Sequence, residues 1–192
     1  TKLSGRANRS FMRSYSSFNP SSLFATRLTW AHNPWILSVG VGLLLSLSFP
    51  PVNASFLSFF GFVGLYQLVL LSHSYRHLAL ISYPAFFIWN LGTTYWLIMA
   101  SIPAGVAAIV ANSTVMLLPM MVIRFIHHRY HLFGWAALFQ AAAWILYEYL
   151  HHHWDLAWPW LGVGNAWANH ISVIQYISIT GHLGISFWVV FG

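Results

Sequence analysis

Glu148 and Asp155 are the two carboxylic acids of a 192-residue chain. They flank three consecutive histidines, His151 to His153, and the aromatic turn Trp158-Pro159-Trp160-Leu161 follows. A carboxylate beside imidazoles can exchange protons, hold a cation or pin hydrogen-bond donors. Glu148 also ends a long apolar run, where an ionisable side chain is expensive unless it is paired or serves a site near a membrane surface. His151 and His152 stand three and four positions beyond it, on the same helical face. The expectation is that one of them donates to the Glu148 carboxylate and so fixes the start of the loop.

Other chemistries are narrowed by residue type. With no cysteine in the sequence, a thiol nucleophile, a disulfide and a cysteine zinc site are excluded. His127 and His131 are four apart and invite a metal, as does the run from His151 to His153. Adjacent helical histidines diverge by about 100°, however, and no carboxylate or cysteine accompanies the first cluster. The sequence therefore assigns no metal and no cofactor. Glu148, His151, Trp158, Pro159 and Trp160 remain as candidates, in structural roles or as the lining of a lipid entry route. For the tryptophans the plainer reading is an aromatic belt, with rings at headgroup depth.

The elements that must position these residues are apolar helices. Hydrophobic residues make up 58% of the chain and charged residues 5%, against about 25% charged in an ordinary soluble domain. Apolar surface on that scale points to an integral membrane protein. Residues 1 to 30 form a basic, serine-rich tail without an acid, suited to anionic headgroups; transit peptides have a similar composition, and no secretory signal is evident. From residue 31 onward the pattern predicts an all-α polytopic bundle of five full spans and the start of a sixth. The spans are placed at about Pro34–Phe49, Ala54–Ser72, Leu78–Ala100, Pro103–Ile126 and Leu132–Leu150, with the last beginning near Gly184 and a loop over about 151–183. Pro34 suits a first helical turn, and Pro50-Pro51 cannot continue the helix. Pro84 and Pro119 fall inside spans, where neighbouring helices can satisfy the freed backbone groups. Gly42 and Ser46 have the spacing of a small-residue helix contact. A chain starting at Thr1 and stopping at Gly192, just inside an apolar run, reads as part of a longer protein.

The charges sort by side. All eight Lys and Arg residues lie in the tail, in the second-to-third link (Arg76) or at the fourth-to-fifth link (Arg124, Arg129). The three opposite links carry none. Basic segments stay cytoplasmic, so the tail is expected inside and the Trp- and His-rich loop outside, which in a bacterium is the periplasmic face of the inner membrane. The net charge of +6 is thereby used for orientation, and no nucleic-acid partner is implied.

The order of motifs along the chain carries a resemblance. Trp144-Ile-Leu-Tyr-Glu148-Tyr-Leu, then Trp158-Pro159-Trp160-Leu161-x-x-Gly164, Ile174-Gln175 and Thr180-Gly181-x-x-Gly184-x-Ser186-Phe187 together resemble the membrane region of bacterial apolipoprotein N-acyltransferase. Leu47-Ser-Phe49-Pro50-Pro51 and Tyr95-Trp96 are similar to its earlier helices. The resemblance covers about residues 34 to 192.

The resemblance implies an enzyme with eight membrane helices and a periplasmic nitrilase-like domain. Such an enzyme moves an acyl chain from a phospholipid donor to the N-terminal amine of a diacylated lipoprotein, through a thioester on a cysteine supported by a glutamate and a lysine. None of those three residues is assigned here, so this stretch is expected to lack catalytic residues and to be inactive alone. Where the family commonly has an arginine after the Glu-aromatic-Leu segment, this chain has His151. Two other functions fit the composition: a polytopic transporter, which calls for ionisable or broken-helix sites at mid-membrane, and a noncatalytic membrane scaffold. The oligomeric state is open.

Overall fold

Prolines and short polar links set most helix ends. The structure, a computed structural model, describes residues 33–130 and 135–192. The basic tail with Lys2, Arg6, Arg9, Arg13 and Arg27, together with Trp30 and His131, lies outside the described residues. The described part forms one unit, Pro34–Gly192, of helices and turns, with no strand among the described residues.

Helix α1 (Pro34–Ser48) begins on its proline and stops before Pro50-Pro51. After it comes α2 (Leu57–Leu71), which ends at an extended Ser72. Ser74 caps the next helix by accepting the His77 amide at 3.1 Å, which starts α3 (Tyr75–Thr94). Pro84 sits inside α3, and one residue on the Ala85 amide donates to the Ser38 hydroxyl of α1 at 3.0 Å. A neighbouring helix thus serves the backbone beside the proline.

The third predicted span is broken at Tyr95, with the short α4 (Trp96–Ala100) completing it. The fourth is α5 (Ile102–Val115) and α6 (Leu117–Tyr130), interrupted at Met116. The interruption precedes Pro119 because a proline ring crowds the carbonyl four residues back, here that of Val115. Next is α7 (Ala136–His151), then two 3-10 turns, Pro159–Leu161 and Val163–Trp167. The last helix, α8 (Ile177–Phe191), starts earlier than the expected Gly184, and a bend at Gly181, φ +67°, sets its first turn off from the rest. A left-handed φ of this kind suits glycine, which has no Cβ to clash.

Of the described helical stretches, Ile102–Tyr130 is long and apolar enough to cross a membrane; α1, α2 and α8 are apolar but shorter. Each of these three has 15 residues, or roughly 22 Å against roughly 30 Å of hydrocarbon. Large apolar side chains face outward on every long helix, among them Leu43, Val63, Leu80, Phe125, Leu146 and Ile179.

The core is aromatic at its centre. Trp89 of α3 stacks on Trp144 of α7 with ring centroids 6.0 Å apart, and Phe62 of α2 meets Trp144 edge-on at 4.8 Å. Helices α1 and α3 pack more closely, through small residues. A Cβ on Gly42 would stand 2.8 Å from the Ala85 carbonyl oxygen, and the Ser46 hydroxyl donates to the Ile88 carbonyl at 2.9 Å. The predicted Gly42–Ser46 stripe is therefore a real contact face.

Hydrogen bonds define the two ends of the bundle. At one end Arg124 of α6 reaches the Ser72 carbonyl at 2.6 Å and the Ser72 hydroxyl, placing a cation on the C-terminus of α2. At the other, Asn53 accepts from Asn169 at 2.7 Å, and the Ser55 hydroxyl donates to the Ala166 carbonyl. The α1–α2 link and the long α7–α8 loop therefore share the end opposite Arg124.

Candidate functional site

Glu148 stands one turn from the end of α7, and its side chain is 3% exposed. Two donors converge on its Oε1: the indole N–H of Trp144, four residues back, at 3.1 Å, and the backbone amide of Val163 at 2.8 Å. The Ser186 hydroxyl of α8 lies beside the carboxylate without bonding its Oε2. Ser186 Oγ in turn accepts the Gly164 amide at 3.0 Å. One carboxylate and one hydroxyl thus tie α7, the second 3-10 turn and α8 together. Gly164 is needed at this point: a Cβ there would lie 2.9 Å from the His182 carbonyl.

This corrects the expected pairing. Glu148 does fasten the loop, but through the Val163 amide, and neither His151 nor His152 donates to it. Each histidine has another partner. His151, 7% exposed, points its Nε2 at the Asn112 Oδ1 of α5 at 3.0 Å. Asn112 Nδ2 donates to Asn90 Oδ1 of α3 at 2.7 Å, and Asn90 Nδ2 donates to the Phe86 carbonyl at 2.9 Å. That carbonyl can only accept, so the direction of every bond back along the chain is fixed: Asn90 Oδ1 accepts, Asn112 Oδ1 accepts, and His151 Nε2 carries a proton. Buried in the bundle, this polar line joins α7 to α5 and α3.

His152 lies past the end of α7 and pairs with His182 of α8, Nδ1 to Nε2, at 3.2 Å. Burial, followed by the proximity of His182 and His153, holds its imidazole below the ordinary value. His153 donates to the Tyr149 carbonyl at 2.6 Å. The three adjacent histidines therefore face three different partners, and no cluster of three or more metal-binding side chains occurs among the described residues.

The aromatic turn divides by residue. Trp158 is half-buried and lines a groove of about 310 Å³ with Ala108, Asn112, His151, Trp154 and Asp155. Pro159 opens the first 3-10 turn, and its carbonyl accepts from the Asn165 side chain at 2.7 Å. Trp160 is 54% exposed and meets Trp96 of α4 edge-on at 5.4 Å. A second groove, about 450 Å³, runs between α5–α6 and α7 past Val115, Leu118, Val122, Leu146 and Leu150 to His151 and Trp154. The two share Val115, His151 and Trp154. One polar mouth therefore adjoins one apolar trough.

Asn90, Asn112, Val163 and Ser186 belong to this site, although their residue types alone do not single them out. Asn90 was visible as a polar residue in an apolar span, and Ser186 as part of a motif. The Val163 amide leaves no trace in a side-chain pattern.

The family described as apolipoprotein N-acyltransferase N-terminal domain matches residues 41–192. Among curated proteins, the apolipoprotein N-acyltransferase of Chlorobaculum tepidum is 29% identical over 159 residues, which take in 81% of this chain and 30% of that protein. The chain thus spans less than a third of that relative's length. No solved structure matches it.

Proposed function

Because the chain belongs to the apolipoprotein N-acyltransferase N-terminal domain family, whose pattern takes in residues 41–192, we propose that it is the membrane part of such an enzyme. In this reading it spans the bacterial inner membrane with a cytoplasmic N-terminal tail. The Glu148-anchored loop then faces the periplasm. Five helical passes, with α3–α4 and α5–α6 each counted as one, and α8 as a sixth, account for the outward-facing apolar side chains, which would otherwise be exposed to water.

The role we assign to the chain is to hold the phospholipid acyl donor beside the place where the diacylated lipoprotein is presented. An acyl chain fits the trough along Leu118, Val122 and Leu146, with the ester and headgroup at the polar mouth formed by His151, Trp154 and Trp158. Such pockets are mostly apolar with a few convergent polar groups. Acyl transfer through a cysteine thioester cannot start on these residues, since the sequence has no cysteine. Glu148, Pro159 and Trp160 shape the loop, and by itself the chain transfers no acyl group.

The family match is the observation that carries this reading; the trough tells where a lipid would lie. Native mass spectrometry of the full chain in a mild detergent tests it. A co-purifying phospholipid is expected, to be lost when Leu146→Trp fills the trough and kept when the outward-facing Leu80 is changed to Trp. Retention in Leu146→Trp would remove the trough as the lipid site.

A further inference from the structure

Three buried polar atoms of the loop anchor have no hydrogen-bond partner among the described residues: Glu148 Oε2, His151 Nδ1 and Trp158 Nε1. All three residues line one small cavity of about 10 Å³, together with Asn112, Met116, Tyr147, His152, Leu161 and Gly162. Leaving such atoms unmatched in the protein interior is costly, so a small site with three of them calls for an occupant.

The pattern of donors and acceptors identifies that occupant. Trp158 Nε1–H can only donate. In its ionised form the Glu148 carboxylate accepts at Oε2. His151 Nδ1 accepts too, because the bonds running from the Phe86 carbonyl through Asn90 and Asn112 place the imidazole proton on Nε2. One donor and two acceptors are complementary to a molecule that accepts once and donates twice. The volume is about that of a single water-sized sphere. An ammonium ion cannot accept from the indole, and a metal cation would meet its N–H.

We propose that this cavity is a binding site for one buried water molecule, which accepts from the Trp158 indole and donates to Glu148 Oε2 and His151 Nδ1. The water completes the link that the sequence suggested between Glu148 and His151, and it adds Trp158 as a third arm. It joins two systems that share no side-chain hydrogen bond among the described residues: the Glu148–Val163–Ser186 anchor and the His151–Asn112–Asn90 line. The aromatic turn is thereby fastened to α7 at Trp158 as well as at Val163. This proposal does not depend on the acyltransferase reading.

Nuclear magnetic resonance of the full chain in lipid nanodiscs, with 15N-labelled tryptophan and histidine, tests it. In the unmodified chain the Trp158 indole proton, assigned by its loss in Trp158→Phe, should show a cross-peak to a long-lived water. His151 should be protonated at Nε2 and bare at Nδ1. His151→Leu removes one acceptor, and the water cross-peak should disappear while the Trp167 indole, bonded to Ser58 at 3.3 Å, keeps its signal. Should His151→Leu fail to fold, the measurements on the unmodified chain decide alone. A missing cross-peak, a proton on Nδ1, or a cross-peak that survives His151→Leu would each overturn the proposal.

Discussion

The α1–α3 contact and the α7–loop–α8 contact solve the same problem by different means. Between α1 and α3 the surfaces touch through Gly42, Ser46 and Ala85, with backbone lying against backbone. Around Glu148 the fit is directional: a carboxylate and a hydroxyl accept from an indole and two amides at 2.8–3.1 Å. A small-residue seam tolerates no added volume, whereas a polar anchor tolerates no lost acceptor. Where apolar surroundings supply no water, the second kind of contact should fail more steeply.

The largest effect is therefore expected at Glu148. Glu148→Ala strands both the Trp144 indole and the Val163 amide; at about 1–3 kcal/mol for each buried donor, the loss is about 2–6 kcal/mol. Thermal unfolding in detergent reads it, and Glu148→Gln, which keeps one carbonyl oxygen, should lose less than half as much. Next comes the seam. Gly42→Ala pushes a methyl into the Ala85 carbonyl and should cost about 1–3 kcal/mol. Gly40, two residues away, has nothing within 4 Å of a built Cβ, and Gly40→Ala should be neutral or gain up to about 1 kcal/mol from helix propensity. Equal losses at both glycines would show that the seam is not what limits packing.

A smaller effect should follow pH. The His152 imidazole is held below its ordinary value in the folded chain, so the unfolded chain binds the proton more readily. Stability from this group is present above about pH 6.5 and is lost as pH falls through the lowered value. The melting temperature should drop between about pH 7 and pH 5, and His182→Gln should flatten that drop. The smallest change is expected at Trp160, where Phe keeps an edge-on ring against Trp96 and costs about 0.5 kcal/mol at most.

What could be read from the sequence was what proline and small residues dictate. Pro34 and Pro50-Pro51 bound α1 as expected, and the Gly42–Ser46 spacing marked its contact face. The importance of Glu148 followed from the scarcity of carboxylates. Its partners did not, because helical spacing brings His151 and His152 near but cannot weigh them against an amide fifteen residues on. Asn90 and Asn112 were similarly hidden: they lie on different helices, and only the packing of α3 against α5 makes one the partner of the other. The break at Met116 was displaced from Pro119 because a proline acts on the turn before it.

The proposed arrangement puts Arg76, Arg124 and Arg129 on the cytoplasmic side and the Glu148-anchored loop outside. Since the sequence contains no cysteine, single cysteines placed at exposed Asp155 and exposed Arg129 give a clean readout with a membrane-impermeant thiol reagent. In intact cells Asp155→Cys should label and Arg129→Cys should not, until the membrane is opened. Labelling of Arg129→Cys with Asp155→Cys protected would reverse the orientation, and the periplasmic lipid-holding role would fall with it.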